Sequence, residues 1–279
     1  MGILKLRRRR TALAAGLATL AMAAGLAAAP AQAVDKSDYI ALGDSYAAGQ
    51  GAGPYQNEIC YRSENTYSEL AADDKAIKLV TNAACSGKTT QEVVSTQLRQ
   101  LNRSTELVTI TAGGNNLGFG DIITNCGAAM VDPAAAAECY RVSTDATAMI
   151  VSGQLAGEVA SMIQSVKAAA PNAKIVVTGY PYLYDPIPAG LTDPMSLFIY
   201  QATDLADGLN GSIALAAGAT GVQFVDVRAA FLGHGINSAD PWINLDLANL
   251  GSPDNFHPNA EGYQAYFGSL SYAGAYSAP

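Results

Sequence analysis

The chain has 279 residues, with 24 acidic against 16 basic side chains, 49% apolar residues and two histidines. Five of the basic residues, Lys5 and Arg7 to Arg10, lie in the first ten positions, so residues 34–279 carry 11 basic against 24 acidic groups, a formal charge of −13. Such a surface repels polyphosphate and offers no polybasic anchor for anionic lipid, which excludes nucleic-acid binding and stable electrostatic attachment to a membrane. Two histidines also exclude a multi-histidine metal site.

Residues 1–33 read as a secretory signal. The basic stretch MGILKLRRRR precedes an apolar run from Thr11 to Ala29, and Ala31-Gln32-Ala33 supplies a small-x-small cleavage pattern, so cleavage is expected after Ala33. The run approaches the length of a bilayer span, but its Ala and Gly composition partitions weakly into hydrocarbon. The arginine block also fits a twin-arginine signal, and the export route stays open. Residues 34–279 are expected to form one secreted domain, a monomer, with no linker or repeat dividing it. An oxidising compartment favours disulfides for the four cysteines, and there is no CxxC pair to suggest zinc or redox chemistry. Pairing Cys60 with Cys85 and Cys126 with Cys139 closes the smallest loops.

The strand candidates, in chain order, are Tyr39 to Leu42, Ile77 to Thr81, Leu107 to Thr111, Lys174 to Thr178 and Val222 to Val227. Each is nearly all apolar, as strands covered on both faces are. Longer stretches of helical period separate them. The clearest spans Ser143 to Ala170, where Leu155, Val159, Met162, Ile163 and Val166 recur at steps of three and four before Pro171-Asn172 ends the run. A last helix begins near Asn259. Alternating strands and helices predict an α/β, flavodoxin-like three-layer sandwich: a five-stranded parallel sheet with helices on both faces. In such folds ligands bind beyond the carboxyl ends of the strands, where the strand order reverses.

Four loops belong to that edge. The first is Gly43-Asp44-Ser45-Tyr46, a hydroxyl and its own N–H presented directly after a buried strand; alone, it is ordinary turn chemistry. The second, Cys85-Ser86-Gly87-Lys88-Thr89, contains a glycine that lets a backbone N–H approach a ligand closely. The third, Gly113-Gly114-Asn115-Asn116, sets an amide donor after two flexible residues. The fourth, Ser252-Pro253-Asp254-Asn255-Phe256-His257-Pro258, holds one of the two histidines with a carboxylate three positions before it.

GDSY, SGKT, GGNN and DNFHP, in this order, resemble the four blocks of the SGNH/GDSL hydrolase family, and the chain is most similar there to secreted actinobacterial esterases and lipases. The match runs from about Asp38 to the last helix, essentially the whole chain after the signal. The resemblance implies that Ser45 is the nucleophile, that Gly87 and Asn115 complete an oxyanion hole with the Ser45 N–H, and that His257 is the base, with no metal or cofactor. Asp254 is the expected partner of the second imidazole nitrogen; some relatives use a main-chain carbonyl there instead. Asn116 stands where many relatives have Asp, which leaves the Asn115 donor in place. A third disulfide of some relatives has no cysteines here, so the loops Asp185 to Ser196 and Gly233 to Asn237 are expected to be less restrained.

Other features carry less. Gly87-Lys88-Thr89 looks like the end of a phosphate-binding loop, but its first glycine would fall on Asn82. No G-x-S-x-G elbow occurs, against the α/β-hydrolase fold. His234 reads as a loop histidine bonded to local backbone. Trp242, Tyr180, Tyr182 and Tyr184 are candidates for a pocket wall but more often such residues cover core, and Leu117, Phe119, Leu197 and Phe198 are expected to rim the cleft. The expectation is a secreted serine esterase or lipase acting on a small-molecule or lipid ester. Phospholipase and polysaccharide acetyl esterase activities use the same site, and an inactive binding module is the alternative of another class.

Overall fold

Five parallel strands form the central sheet: β1 (Ser37–Gly43), β4 (Ile77–Asn82), β5 (Leu107–Thr111), β6 (Lys174–Thr178) and β7 (Gln223–Val225), in the order β4-β1-β5-β6-β7. The computed structural model describes residues 36–74, 76–129 and 132–277, so the segment read as a signal lies outside the described residues. A separate antiparallel hairpin joins β2 (Tyr55–Asn57) to β3 (Arg62–Ser63). After β1 the chain lays β4 on one side, then crosses to lay β5 on the other, with Gly43 in register with Thr111. The order reverses there, which opens a crevice at the carboxyl ends of β1 and β5.

Eight helices accompany the strands among the described residues: α1 (Ser45–Ala48), α2 (Tyr67–Ala72), α3 (Thr90–Gln97), α4 (Phe119–Ala129), α5 (Ala136–Val151), α6 (Gln154–Ala169), α7 (Pro194–Thr220) and α8 (Ala260–Tyr272). Helices α2 and α8 pack together over one face of the sheet, and α3, α6 and α7 form a second group over the other, the three layers expected from the sequence. Every residue of β5 is buried. Because side chains alternate along a strand, Thr109 and Thr111 share one face. There the Tyr39 hydroxyl bonds Thr109 at 2.6 Å, Tyr67 bonds Thr111 at 2.9 Å, and Thr178 bonds both Thr111 at 2.6 Å and Tyr266 at 2.9 Å. The buried hydroxyls satisfy one another, which removes the cost of placing them in an apolar core.

Two elements differ from the sequence reading. The single helix expected over Ser143 to Ala170 is two, α5 and α6, which meet at a bend of 62°. Gly153 adopts φ +77° and ends the first rod, while the apolar stripe of α6 from Leu155 to Val166 is buried as its spacing predicts. The 27-residue α7 was not read from the sequence, although its start signal is present: Asp193 accepts from the Ser196 N–H at 3.0 Å and Pro194 occupies the first turn. The first half of its apolar face, from Phe198 to Leu209, lines a cleft, while Ile213, Ala216 and Ala217 in the second half are buried in the core.

The loops expected to be loosely held are fastened by hydrogen bonds. The Asp185 carboxylate accepts from the Gly233 N–H at 2.8 Å and the Gly235 N–H at 3.3 Å, and the Asn237 side chain brackets the Asp185 backbone at 2.7 and 3.2 Å. Both cysteine pairs are bonded, Cys60 to Cys85 and Cys126 to Cys139.

Candidate active site

Ser45 sits where β1 runs into α1. Gly43 makes the sharp exit at φ +136°, and a Cβ there would fall 2.1 Å from the Thr111 carbonyl oxygen. The Gln97 side chain holds this residue by both backbone groups, accepting from its N–H and donating to its carbonyl at 2.8 Å each. Asp44 caps α1 by accepting from the Tyr46 N–H at 3.0 Å, and its other oxygen accepts from the Tyr180 hydroxyl. Burial pushes the Asp44 carboxyl up to about 7, against these bonds, which favour the anion. The block is therefore a rigid corner that leaves the Ser45 side chain at the rim of a cleft.

Gly87 lies in the turn between β4 and α3 at φ +76°, with open space where a side chain would stand. Cys85 anchors this turn by its bond to Cys60 and by donating its N–H to the Gly43 carbonyl at 3.1 Å, and the capping box of Thr89 with Glu92 starts α3 directly behind it. Asn115 follows Gly113, which adopts φ +132°. One Nδ2 hydrogen of Asn115 donates to the Lys88 carbonyl at 3.0 Å, which fixes the amide beside the Gly87 turn and leaves its other hydrogen free to point elsewhere. The N–H groups of Ser45 and Gly87 take part in no hydrogen bond among the described residues. Asn116 plays a different part. Its side chain accepts from the Thr90 N–H at 3.0 Å and donates to Thr90 Oγ1 at 2.8 Å and to Glu158 at 2.6 Å, joining α3 to α6.

His257 ends a loop in which Phe256 adopts φ +64°, left-handed backbone that a non-glycine residue enters only when neighbours hold it there. Phe256 is held at both ends, its N–H donating to the Asn244 carbonyl at 2.8 Å and its carbonyl accepting from the Tyr46 hydroxyl at 2.7 Å. The imidazole packs against Tyr46, with ring centroids 5.3 Å apart. Its Nδ1 lies 2.9 Å from the Asn255 carbonyl, which fixes the proton on Nδ1 and leaves Nε2 as the basic nitrogen. Burial pulls the His257 pKa down to about 4, against the raising effects of that carbonyl and of the Asp254 charge, so the ring is neutral in ordinary buffers. The Ser45 hydroxyl and Nε2 are not hydrogen-bonded to each other here; such bonds commonly tighten only around substrate.

The expected contact between Asp254 and the imidazole is corrected by the structure. Asp254 Oδ1 accepts from the Tyr55 hydroxyl instead, and the second ring nitrogen faces a main-chain carbonyl. The loop geometry explains this: Nδ1 reaches back two residues to its own backbone, and the carboxylate turns toward the hairpin.

A narrow cleft, open to solvent at its mouth, leads away from Ser45 and Asn115 between two helices. Helix α4 contributes Phe119, Ile122, Ile123 and Cys126, and α7 contributes Phe198, Ala202, Leu205, Ala206 and Leu209, each set at helical spacing along one face. Of the residues expected at the rim, Leu117, Phe119 and Phe198 line the cleft, while Leu197 is exposed. Tyr180 lines it as well; Tyr182 bonds Asp207 and Tyr184 packs edge-on against Phe198. Trp242 stacks on His234, whose Nδ1 faces the Asp240 carbonyl at 2.9 Å, the local-backbone role read for this histidine.

The GDSL-like Lipase/Acylhydrolase family matches residues 41–265. Lipase 1 of Streptomyces coelicolor is 36% identical over 269 residues, covering 91% of this chain and 95% of its own length. The crystal structure of an extracellular lipase from Streptomyces rimosus superposes with a TM-score of 0.75 at 33% identity, covering 85% of this chain and 99% of that one. A phospholipase A1 from Streptomyces albidoflavus gives a TM-score of 0.73 at 36% identity over the same shares, 85% and 99%. The chain belongs to the GDSL-like lipase/acylhydrolase family and is a carboxylic ester hydrolase.

Proposed function

We propose that this protein is a secreted, monomeric lipase or esterase, residues 34–279 forming its single domain after removal of residues 1–33, and that it cleaves esters of medium and long acyl chains through an acyl-enzyme on Ser45. The observation that carries the reading is the apolar cleft beginning at Ser45, whose walls α4 and α7 offer hydrocarbon side chains over several turns. Burying each methylene of an acyl chain in such a cleft contributes about 0.8 kcal/mol.

In this reaction Ser45 Oγ attacks the acyl carbon while His257 Nε2 takes its proton. The oxyanion that forms is met by the Ser45 and Gly87 N–H groups and the free Nδ2 hydrogen of Asn115. The imidazolium is stabilised at Nδ1 by the Asn255 carbonyl. It returns its proton to the leaving alcohol, and water, deprotonated by the same nitrogen, releases the acid. Phospholipid is a second substrate class to test, supported by the similarity to a phospholipase A1.

The test is a hydrolysis profile across p-nitrophenyl esters of increasing chain length, with a phospholipid and acetylated xylan alongside and Ser45→Ala as control. Rates that rise with chain length, together with one fluorophosphonate adduct mapped to Ser45 by peptide mass, are expected. A peak at acetate would point to short or glycan-borne acetyl esters, and no adduct to a binding module.

A further inference from the structure

We propose that Tyr55 and Asp254 are a positioning pair: their hydrogen bond, with that of Gln50, fastens the His257 loop to the segment that carries Ser45. The proposal rests on the assignment of Ser45 and His257 as nucleophile and base.

Three side chains from residues 46–55 reach three residues of the loop immediately before His257. Gln50 Nε2 donates to the Pro253 carbonyl, the Tyr55 hydroxyl donates to Asp254 Oδ1, and the Tyr46 hydroxyl donates to the Phe256 carbonyl at 2.7 Å. The fourth residue, Asn255, accepts from the imidazole itself at its carbonyl, while its side chain accepts from the Asp246 N–H at 2.7 Å and donates to the Asn249 carbonyl at 3.0 Å. The two segments also touch at Gly51, where an added Cβ would stand 2.9 Å from the His257 Cβ and 2.5 Å from the Pro258 carbonyl oxygen. Gly51 in turn donates its N–H to the Tyr55 hydroxyl at 2.9 Å, so that one phenol oxygen both accepts from the nucleophile segment and donates to the histidine loop.

Tyr55 belongs to the β2–β3 hairpin, and the hairpin turn contains Cys60, which is bonded to Cys85 in the Gly87 turn. A single hairpin is thereby tied covalently to the turn that offers the Gly87 N–H and by a phenol–carboxylate bond to the loop that offers the base. Burial and the neighbouring Asp254 both push the Tyr55 pKa up, which keeps the phenol a donor throughout the working range. A carboxylate so engaged sets the place of the imidazole without touching it.

The experiment compares Tyr55→Phe, Asp254→Ala, Asp254→Asn and the Tyr55→Phe/Asp254→Ala double variant in steady-state hydrolysis of a p-nitrophenyl ester, with thermal melts of each. An asparagine keeps the oxygen that Tyr55 needs but cannot stabilise an imidazolium as a carboxylate does. Positioning therefore predicts that Asp254→Asn stays within about threefold of the native kcat, while Tyr55→Phe and Asp254→Ala each lose about tenfold in kcat with KM unmoved, the scale of one lost hydrogen bond. The double variant is expected to be no worse than either single one. Asp254→Asn as damaging as Asp254→Ala beside a harmless Tyr55→Phe overturns the proposal in favour of a direct imidazole partner. Multiplicative losses in the double variant, or native kcat in every variant, overturn it as well. Should any variant melt early, the rate of fluorophosphonate labelling of its folded fraction at low temperature gives the same comparison. Native protein that takes no label on Ser45 defeats the catalytic assignment itself, an outcome distinct from all of these.

Discussion

The Tyr46 hydroxyl donates to the Phe256 carbonyl at 2.7 Å, joining the residue after Ser45 to the residue before His257 across 210 positions of sequence. The same residue donates its backbone N–H to the carboxylate of Asp44, the residue before Ser45. Tyr46 is thus a fixed strut between the two candidate catalytic residues.

Because burial lowers the His257 pKa to about 4, the imidazole of this candidate base is already unprotonated in mildly acidic solution. The expected profile of kcat/KM is level from about pH 9 down to about pH 5 and halves near pH 4, well below the ordinary histidine midpoint. Stopped assays in overlapping buffers, with the protein returned to pH 7 to show that loss is reversible, check this. A midpoint between pH 6 and 7 would mean that the imidazole is far more solvated than its position suggests.

Stability carries two opposed contributions. The His257 pKa is lower folded than unfolded, so the unfolded chain binds its proton first as pH falls, and stability drops from about pH 6.5 toward pH 4. The Asp44 pKa is higher folded than unfolded, so the folded chain keeps a proton that the unfolded chain has lost, and stability drops as pH rises from about 4 toward 7. The two offset each other in the native protein. Asp44→Asn is expected to unmask the histidine contribution, giving a Tm that climbs from pH 4 to pH 6.5 more steeply than in the native chain; melts at half-unit intervals read it directly.

Asn115 donates one amide hydrogen to the Lys88 carbonyl, and the other is the one proposed to meet the oxyanion. Asn115→Ala is expected to cost about 2.7–4 kcal/mol of transition-state stabilisation, lowering kcat by about 10²–10³ with little change in KM. Asn116→Ala, which loses bonds between α3 and α6 instead, should lower Tm and leave kcat nearly unchanged in assays at low temperature.

Two glycines of the site have opposite surroundings. At Gly43 a methyl group would stand 2.1 Å from the Thr111 carbonyl oxygen at φ +136°, so Gly43→Ala should fail to accumulate as soluble protein. Gly87→Ala meets no atom within 4 Å and has only the left-handed backbone at φ +76° to oppose it, about 1–2 kcal/mol. That variant should fold, with a modestly lower Tm and a reduced kcat. Expression yield and melting curves separate the two cases.

Ala206 lies on the face of α7 that lines the cleft. Ala206→Phe should fill part of that space and depress hydrolysis of long-chain esters by at least about tenfold, the lost burial of about two methylenes, while acetate esters are cleaved at the native rate. The ratio of p-nitrophenyl palmitate to acetate turnover is the measurement. Equal losses on both esters would place the acyl chain elsewhere.

The strands and the candidate residues of the site were legible in the sequence because both are carried by short local patterns. An apolar run such as Leu107 to Thr111 is buried wherever a sheet places it; Ser45, Gly87 and Asn115 follow strand ends, His257 precedes α8, and the resemblance of their blocks to a family marked all four as candidates. The break at Gly153 and the length of α7 were less legible, since a glycine tolerates both helix and turn, and a helix facing a cleft does not show a clean stripe. Which partner each polar group takes was not legible at all. Asp254 lies three positions from His257 and reads as its partner, yet its carboxylate accepts from the phenol of Tyr55, 199 positions away, and the Asn255 carbonyl faces the imidazole. Hydrogen-bond direction is set by loop closure over the whole chain, and only the folded arrangement decides among acceptors that lie equally near in sequence.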